Sequence, residues 1–509
     1  MRFTKTHKVP KGVISVAKST SRRDVQQVEF RLANGQAAVA DFGGGDISGL
    51  GGLPLLVAVD DQYDFLAGAA RYIKDRRLKG QITHTVEKLF RQAVLLYCAG
   101  YPDGVDWNYF RRDPILKFCL GWDADGERHA ASQAGQSRFM TERSERDLLR
   151  LFSYSISFYI RKHRKPPASI TLDFDGAAAE VHGRQQFIAY NGHYEVNMYY
   201  PLFVMDGHGW LIAPILRPGN VADANITVDV LKVLVKRFKR AWPKVKILFR
   251  GDAAFHNPDI MDWCEANGVD YVTGLKGDHH LNVGSKQFDK RAEKEFEKRF
   301  GQPRFDGTTG SYHYQQHLRE ISALPRGARY EAYAELDGRS VRRLGDFRHL
   351  AGRGYGGKHK QWKKERRVIS RARVTDRGLK RRYLVTSLEG YTADKIYDEI
   401  YSARGKAELV IRAQRALGAD RLNSSEARTN QMRMIVCALA YNLFQLLIEK
   451  LPSALKSLSV ETLIHNVARI AVQVKVSTRR TWLRWTSSYP YQFQIIKLCN
   501  RLNLQPKPA

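Results

Sequence analysis

The stretch Ile170-Thr-Leu-Asp-Phe-Asp175 alternates apolar and polar side chains at every position. A period of two predicts a β-strand with one buried face, so Asp173 and Asp175 project from the same face. The preceding segment, Arg161-Lys-His-Arg-Lys-Pro-Pro167, is strongly basic and ends in two prolines, which favours a domain boundary. The sequence therefore predicts a folded unit whose first strand ends in acidic residues.

Apolar segments downstream of this strand follow the order of a mixed α/β sheet. Two of them flank Gly207-His-Gly209, as the strands of a hairpin do, and a later one ends at Arg250-Gly-Asp252. Three strands followed by a helix, a strand, a helix and a strand predict one mixed sheet. The further strands are predicted over 201–205, 210–216, 245–249 and 271–275, and the helices over 226–242 and 260–267.

Residues 277–381 interrupt this pattern with few helical periods and some strand-like runs. A connection of that length is uncommon inside a compact domain, so we predict an inserted, mainly β domain. Residues 382–388 predict a strand that returns to the core. Helical spacing is found before the first strand, over 49–150, and after the insertion, over 393–417, 426–451 and 460–474.

The charge balance predicts a polyanionic partner. The 509 residues include 83 Lys and Arg against 52 Asp and Glu, a formal net charge of +31. A surface that basic repels itself, so nucleic acid is the first candidate partner and an anionic membrane surface the second. No stretch reaches the roughly 18 apolar residues of a membrane span, and the basic N-terminus has no signal-peptide core. The five cysteines are scattered, which predicts reduced thiols and no zinc site.

Three acidic residues stand out by their positions. Asp175 ends the first strand, Asp252 ends a later buried strand, and Glu408 lies on a helix after the insertion. Sites in α/β sheets form at the carboxyl ends of strands, so the two aspartates are expected to meet at one edge. Carboxylates suit Mg²⁺, and a pair of such ions activates a water or a 3′-hydroxyl at a phosphodiester. The sequence therefore predicts two Mg²⁺ ions, for which Mn²⁺ is an expected substitute.

The helix around Glu408 presents a row of functional side chains. At 100° per residue, Tyr401, Arg404, Glu408 and Arg415 fall within an arc of about 60°. Arginines on this face are suited to hold phosphates beside the metal ions. The simpler alternative is an exposed surface pair between Glu408 and Arg404 or Arg412.

The spacing Tyr401-x2-Arg404-x3-Glu408-x6-Arg415 resembles the Tyr-Arg-Glu-Lys signature of DDE insertion-sequence transposases. The wider sequence is similar to the insertion-sequence 1380 family in particular, over most of the chain from about 80 to 490. The matching stretches, which are highly specific when taken together, are Leu172-Asp-Phe-Asp175, His182-Gly-Arg-Gln-Gln186, Tyr190-Asn-Gly-His-Tyr194, Leu216-Arg-Pro-Gly-Asn220, Arg250-Gly-Asp252, Trp263-Cys-Glu-Ala-Asn-Gly-Val-Asp-Tyr271 and Tyr383-Leu-Val-Thr-Ser-Leu388.

The resemblance implies an α/β RNase H-like catalytic core with a β-rich insertion domain, flanked by an α-helical N-terminal DNA-binding region and a helical C-terminal region. The implied insertion falls where the apolar pattern is interrupted. The predicted regions are 1–165 for the N-terminal arm and helical DNA-binding region, 166–276 for the first part of the core, 277–381 for the mainly β insertion with a basic cluster, 382–450 for the second part of the core with the Glu helix, and 451–509 for the helical C-terminal region.

The resemblance also implies catalytic and metal-binding roles for Asp175, Asp252 and Glu408. Asp173 lies on the same strand face as Asp175 and is the rival for the first metal ligand. Three places depart from the family pattern. At one of them an arginine replaces a lysine, which keeps the positive charge and changes the geometry of its hydrogen bonds. The three places are Ala177 in place of a threonine, Ala253-Ala254 in place of a common Ser-Gly pair, and Arg415 in place of the signature lysine.

A basic cluster over 339–382 holds 17 Lys or Arg and three acidic residues. Tyr355 and Trp362 are interleaved with it, a combination suited to phosphate contact and to stacking on exposed bases. The alternative is a solvated loop, which the glycines over 352–357 favour. We predict DNA contact at the transposon end through Trp362, Lys363, Lys364, Arg366 and Arg367, together with Tyr401, Arg404 and Arg415.

Residues and resemblance together predict a cut-and-paste DNA transposase of an insertion sequence, acting by metal-dependent phosphodiester hydrolysis and strand transfer. The expected partners are double-stranded DNA, at terminal inverted repeats and in the target, and a second subunit, because each active site of a synaptic dimer serves one end. No membrane partner is expected, and the expected location is the bacterial cytoplasm, at the nucleoid. The alternatives are a catalytically impaired DNA-binding protein of the same fold and a structure-specific RNase H-like endonuclease.

Overall fold

The computed structural model describes residues 27–504 apart from 32, 35, 304–309, 326, 330, 333–337 and 353–360. Most of the predicted N-terminal arm and the glycine-rich centre of the basic cluster, with Tyr355, lie outside the described residues. The framework of the described chain is a mixed eight-stranded sheet, accompanied by three small sheets.

The five strands that the apolar pattern predicts between 170 and 275 follow one another in the predicted order, and three short strands that it does not predict lie between the first and the second of them. In chain order the strands are β1 Val28–Arg31, β2 Ala37–Ala40, β3 Ile47–Ser48, β4 Ser169–Gly176, β5 Ala179–Glu180, β6 Ala189–Asn191, β7 Val196–Tyr199, β8 Leu202–Asp206, β9 Leu211–Ile215, β10 Lys246–Gly251, β11 Asp270–Leu275, β12 Ser340–His349, β13 Arg366–Thr375, β14 Gly378–Thr386, β15 Val472–Ser477 and β16 Arg480–Trp485. The large sheet has the spatial order β12-β13-β14-β11-β10-β4-β8-β9. Its centre, β4-β10-β11, is parallel, whereas β8, β9 and β14 pair antiparallel with their neighbours.

Strand β4 is buried on both faces, although its alternating sequence predicts one buried face. Leu172 and Phe174 are fully buried, and the Phe174 ring packs edge-on against Phe249 at 5.2 Å between ring centroids. Asp173, on the opposite face, is also fully buried. Parallel strands in the middle of a sheet are usually covered on both sides, so a polar residue there needs a partner inside the protein.

Helices cover the sheet and form the N-terminal region, as the helical spacing over 49–150 predicts. Helix α7 begins with a capping box between Ser144 and Asp147, which satisfies two backbone N–H groups at its start. The helices are α1 Leu53–Tyr63, α2 Phe65–Ala70, α3 Val86–Cys98, α4 Gly104–Trp107, α5 Pro114–Cys119, α6 Gln133–Thr141, α7 Glu145–Lys162, α8 Thr227–Ala241, α9 Pro258–Ala266, α10 His279–Phe300, α11 Gly310–Ala323, α12 Gly405–Ala416, α13 Ala427–Lys450, α14 Ser453–Lys456, α15 Val460–Leu463 and α16 Gln492–Arg501.

Helix α13 is the central helix of the packed core. By length and composition it is apolar enough to cross a membrane, but 78% of its apolar window is buried inside the protein. It contacts α3 and β9, and Asn442 within it bonds both the amide and the carbonyl of Leu211. Burial against protein explains its apolar composition, which is that of a core helix.

The segment 277–381 differs from the predicted mainly β insertion. It contains helices α10 and α11, and its strands β12 and β13, together with β14, extend the central sheet through the pairing of β14 with β11. Helix α10 escapes detection because its buried residues are sparse: Phe288, Ala292 and Phe296 face the sheet and most of the rest is charged. A helix with so narrow an apolar stripe has a weak sequence signal.

The C-terminal region also differs from the predicted helical one. The helix expected over 460–474 ends early, and Val472, Val474 and Val476 then alternate with polar residues in β15. β15 and β16 form a hairpin that pairs with β3. A second contact just before this hairpin also connects the N-terminal and C-terminal regions, because the Gly51 amide donates to the Ile470 carbonyl oxygen at 2.9 Å.

Candidate active site

The carboxyl ends of two parallel strands bring the two predicted aspartates side by side. The register of β4 and β10 pairs Asp173 with Arg250, so Asp175 and Asp252, each two residues further along, come to the same edge of the sheet, where their carboxylates interact electrostatically. Asp252 accepts a hydrogen bond from the Ala254 amide at 2.8 Å and so caps the short turn that follows β10. This local bond fixes the direction of the Asp252 carboxylate at the edge of the sheet.

Both carboxylate oxygens of Asp173 are hydrogen-bonded to a buried side chain. Its Oδ2 accepts a hydrogen bond from Arg250 Nη2 at 2.6 Å, and its Oδ1 accepts a second from Arg250 Nε. Arg250 is buried as well and also donates to the carbonyl oxygen of Ile400. Burial raises the pKa of Asp173, and the Arg250 guanidinium opposes that rise. The pair joins β4, β10 and the segment that leads to the Glu408 helix.

Asp175 stands in a different electrostatic environment. Its Oδ2 accepts a hydrogen bond from Arg404 Nη1 at 2.9 Å. Burial raises the pKa of Asp175 to about 7; Arg404 opposes the rise, and the carboxylates of Asp252, Asp223 and Glu408 add to it. The four acids therefore form one electrostatically coupled group, which we call the acidic edge.

The segment before α12 departs from regular helical geometry. A π-helical turn, Lys395–Tyr401, and a 3₁₀ turn, Ser402–Arg404, precede the α-helix that carries Glu408. The uniform spacing of 100° per residue therefore does not hold across this segment, and the predicted arc is wrong as a geometric construction. Irregular helical turns of this kind recur at functional sites.

The four side chains of the predicted row nevertheless reach the same region. The Tyr401 hydroxyl lies beside Arg404, and Arg404 Nη2 is 3.6 Å from Glu408 Oε1. Arg415 Nη2 donates to the Ala178 carbonyl oxygen at 3.4 Å, just beyond the end of β4. The Glu408 side chain is 69% exposed and Arg404 is 16% exposed, so the carboxylate is accessible while the guanidinium is held inside the edge.

Asp223 is a member of the acidic edge that the sequence analysis missed. It is buried, forms an ion pair with Arg217 and accepts a hydrogen bond from Tyr200. A Cβ added to Gly176 would lie 2.7 Å from Asp223 Oδ1, so this carboxylate packs against the end of β4. The available signal was Arg217 in the motif over 216–220, because a buried arginine requires an acid nearby.

The carboxylate oxygens of the acidic edge are suitable ligands for a divalent cation. In the free chain, however, an arginine occupies the space between two of these carboxylates. Among the described residues, no three His, Cys, Asp or Glu side chains stand in a metal-holding arrangement. Arg404 instead lies between Asp175 and Glu408. Carboxylates that raise one another's pKa are ligands for Mg²⁺ or Mn²⁺, and such an ion would have to compete with Arg404 for Asp175.

Comparison with known proteins gives the family. The family model described as transposase DDE domain group 1 matches residues 30–507. The chain belongs to this DDE transposase family. It is a DNA transposase, an enzyme that cleaves DNA, and enzymes of the family use divalent metal ions. The predicted membership is thereby confirmed at the level of DDE transposases, and the narrower insertion-sequence 1380 assignment stays a prediction.

The other comparisons add little detail. A search of the curated proteins gave no match. Among solved structures, the transposase is similar to the piggyBac transposase in a cryo-EM structure of its synaptic complex with hairpin DNA. The two chains are 12% identical with a TM-score of 0.36, and the match covers 82% of this chain and 79% of the other. A likeness at this level assigns no role to any residue.

Three of the DNA contacts predicted in the basic cluster of the transposase are buried. Trp362 is 3% exposed and packs between His256 and His349, so its ring is not available to stack on a base. Arg366 forms ion pairs with two acids of α9, and Arg367 pairs with Asp346. These side chains hold β13 to its neighbours, and their assignment as DNA contacts is corrected on that ground.

The two lysines of the same stretch are accessible. Lys363 is 78% exposed and lies 2.8 Å from Asp262, and Lys364 is 61% exposed and lies 3.2 Å from Glu265. Exposed ion pairs of this kind contribute little to stability and exchange readily with other anions. Lys363 and Lys364 therefore remain candidates for phosphate contact.

Proposed function

We propose that this transposase moves an insertion sequence by a cut-and-paste route, in which metal-dependent hydrolysis frees the element's 3′ ends and strand transfer joins them to target DNA. The observation that carries the proposal is the acidic edge itself, where burial and the nearby carboxylates of Asp252, Asp223 and Glu408 together raise the pKa of Asp175. Acids concentrated at strand ends destabilise one another unless a cation neutralises them, which favours a functional role over a structural one.

The chain's own residues take the following parts in this proposal. Asp175 and Asp252 hold the metal ions from the sheet, and Glu408 completes the ligand set from α12. When bound, two Mg²⁺ ions, for which Mn²⁺ can substitute, supply activation of the attacking oxygen and stabilisation of the leaving one. Arg404 and Arg415 orient the scissile strand through its phosphates, and Tyr401 buttresses Arg404.

Asp175, and not Asp173, is the proposed first ligand. Both oxygens of Asp173 are bonded to Arg250 in the interior, so freeing them would leave a buried arginine without its partner. In the part of the chain that the structure describes, the Asp175 carboxylate accepts a side-chain hydrogen bond from Arg404 alone, and Arg404 has further partners in Tyr401 and Glu408. A ligand has to exchange one partner for another, and Asp175 can do so at lower cost.

We further propose an RNase H-like layout for the catalytic core and membership of the insertion-sequence 1380 family. In support of the layout, this part of the sheet has the spatial order β9-β8-β4-β10-β11. Numbered along the chain, these five strands therefore lie in the order 3-2-1-4-5. The departure at Ala253-Ala254 leaves the turn after Asp252 intact, because the Ala254 amide still bonds the carboxylate. This supports an active enzyme over the catalytically impaired alternative.

The proposed partners and location follow from the same function. The partners are the terminal inverted repeats, the target DNA and a second subunit in the synaptic complex, and the location is the bacterial cytoplasm at the nucleoid. The helical region within 1–165 is the proposed reader of the inverted repeats, which leaves the sheet edge free for the scissile phosphate. The net charge of +31 supports a long DNA footprint.

The test is a paired cleavage and joining assay. Duplex DNA from the flanks of the element is incubated with the full chain in Mg²⁺ or EDTA, and a pre-cut end with a free 3′-hydroxyl is offered with target DNA. We expect metal-dependent nicking at a fixed position and joining of the pre-cut end, both lost in Asp252→Asn and Glu408→Gln. Nicking without joining would identify an endonuclease, and tight binding without nicking would identify an impaired DNA-binding protein.

A further inference from the structure

The three outer strands of the sheet, β12, β13 and β14, carry basic residues on both faces. The two faces differ in how many of these residues are paired with acids. On the face covered by α10, Arg343 pairs with Glu295 and Arg381 pairs with Asp289. Both acids come from α10, and Phe288 of that helix packs against Gly345 of β12. The positive charge of this face is neutralised within the fold.

The opposite face carries basic residues in two cross-strand rows. The register aligns Arg342 with Arg373 and Arg373 with Lys380, and one pleat further along it aligns Arg371 with Arg382. Neighbouring strands are about 4.8 Å apart and same-face residues about 7 Å apart, so the five cations share a patch roughly 10 Å across. We call these five residues the basic face.

Acidic partners are scarce on the basic face. Arg342 binds Asp398 through two hydrogen bonds, at 2.7 and 2.8 Å. In the part of the chain that the structure describes, Arg373, Lys380 and Arg382 form no ion pair. Like charges placed directly opposite each other on a sheet are destabilising, so this arrangement costs stability in the free protein.

Arg371 lies at the centre of the cluster and is short of partners. Its guanidinium lies over the Tyr397 ring, 5.1 Å from the ring centroid, and its buried Nε has no hydrogen-bond partner among the described residues. Burial lowers the pKa of Arg371, and its neighbours Arg382, Arg373 and Arg342 lower it further. A buried donor without an acceptor costs stability. An anion bound on this face would supply an acceptor for Arg371 and would reduce its repulsion from the neighbouring cations.

The position of the basic face relates it to the acidic edge. Tyr397 belongs to the π-helical turn Lys395–Tyr401, which covers the inner part of the same sheet face and packs on Ile369 and Leu384. That turn leads directly to Tyr401 and Arg404 at the acidic edge. A polyanion lying along this side of the molecule would pass from one to the other.

We propose that the basic face, Arg342, Arg371, Arg373, Lys380 and Arg382, binds the phosphate backbone of duplex DNA that extends from the active site. The inference rests on the proposed function for the presence of DNA at the acidic edge. The partner is duplex because, among the described residues, the ring that contacts the basic face is that of Tyr397, which is buried against Arg371 and is not available for stacking on a base. Backbone contact of this kind is independent of sequence.

The test measures how salt weakens binding of the full chain to duplex DNA, in EDTA so that no cleavage occurs. Each neutralised phosphate contributes about 0.9 to the slope of log K against log salt. We expect the double variant Arg373→Gln/Lys380→Gln to lower that slope by about 2 for any duplex sequence, whereas Arg373→Lys keeps it. The melting temperature of the double variant should be equal to or above that of the wild type, because like-charge repulsion is removed.

The matched control is Arg343→Gln, which removes one cation from the opposite face of the same sheet, on the neighbouring strand β12. Glu295 keeps a partner there in Arg299, so this variant should fold and keep the wild-type slope. An unchanged slope in the double variant would overturn the proposal, and so would an equal loss of slope in Arg343→Gln, which would indicate an effect of net charge alone. Because the assay needs no chemistry, failure of cleavage in the transposase would not alter its result.

Discussion

Two aspartates on one strand, two residues apart, have opposite environments. Asp173 is enclosed in the middle of the sheet and fully neutralised by Arg250, whereas Asp175 at the strand end meets three further acids and a single contact from Arg404. The residue type and the strand face are the same. The difference shows that a charged residue marks a site when its charge is left uncompensated by the fold.

The basic residues of β13 repeat this contrast. Arg366 and Arg367 stand at the inner end of the strand with acids and carbonyl oxygens around them, and they hold the protein together. Arg371 and Arg373, further along the same strand, face other cations. Compensated charges supply structure, and uncompensated ones are available to metal ions or to DNA.

The largest effect on stability is expected where a compensated charge loses its partner. Arg250→Leu leaves the buried Asp173 carboxylate without its cation, which costs about 3–5 kcal/mol for a buried pair. Chemical denaturation of the two proteins measures the change. Arg404→Leu is the matched control and should cost far less, because Asp175, whose pKa is about 7, can take up a proton in place of the lost guanidinium. Equal losses in the two variants would remove the distinction between the aspartates.

The next effect is a pH dependence at the uncompensated aspartate. The pKa of Asp175 is about 7 in the folded chain and 3.8 for an aspartate exposed to water, so the folded state holds this proton more tightly. Its contribution to stability is therefore complete below pH 4 and is lost as the pH rises to about 7. In EDTA, the stability of the wild type relative to Asp175→Asn should fall between these values and stay constant above pH 8.

Thermal unfolding across that pH range measures this difference. Added Mn²⁺ at pH 8 should stabilise the wild type more than Asp175→Asn, because the ion replaces the lost proton as the neutralising charge. If the melting temperatures of the wild type and the variant changed in parallel with pH, the charge of Asp175 would be neutralised within the fold, contrary to this account.

A smaller effect is expected on metal affinity. Arg404 and a divalent ion compete for Asp175, so Arg404→Gln should bind Mn²⁺ more tightly than the wild type in the absence of DNA. An ion pair near the surface is worth up to about 1 kcal/mol, which corresponds to an increase of roughly fivefold. Calorimetric titration with Mn²⁺ measures it, with Arg415→Gln as the control that leaves affinity unchanged. Weaker binding by Arg404→Gln would make the arginine a support for the ion and contradict competition.

The smallest effect on stability is expected at the exposed lysines of the basic cluster. Lys363→Gln/Lys364→Gln removes two surface ion pairs whose acids keep Arg366, so the free energy of unfolding should change by less than about 0.5 kcal/mol. If these lysines contact DNA, the salt slope of binding falls by about 2 in the same variant. An unchanged slope would confine their role to the surface pairs with α9.

Much of the fold was accessible from sequence where periodicity is strong. The strand at 170–175, the hairpin around Gly207–Gly209 and the helix over 226–242 follow from apolar spacing and glycine placement, and the structure has each of them. The C-terminal hairpin was missed because Val472 and Val474 continue an apolar series that also fits a helix. Their pairing with β3 depends on residues more than 400 positions away, which no local pattern contains.

The candidate site was only partly accessible for the same reason. Asp175 and Asp252 could be chosen because strand ends meet at a sheet edge, and in the structure their carboxylates are close enough to interact electrostatically. The pairing of Asp173 with Arg250 depends on the register of two strands, and Asp223 arrives on a turn between β9 and α8. Burial and charge pairing both depend on tertiary contacts. The burial of Trp362 and the ion pairs of Arg366 therefore could not be predicted from the residue types alone.

The most direct test of the central claim replaces each aspartate in turn with a softer ligand. Thiolate is a poor ligand for Mg²⁺ and a better one for softer ions, so a metal ligand changed to cysteine alters the metal requirement of the reaction. The measurement is cleavage of flanking-end DNA by Asp175→Cys and Asp173→Cys, each with Mg²⁺ and with Mn²⁺. We predict that Asp175→Cys is inactive with Mg²⁺ and recovers with Mn²⁺, while Asp173→Cys shows no such switch. A switch at Asp173, with Asp175→Cys active in Mg²⁺, would contradict the account.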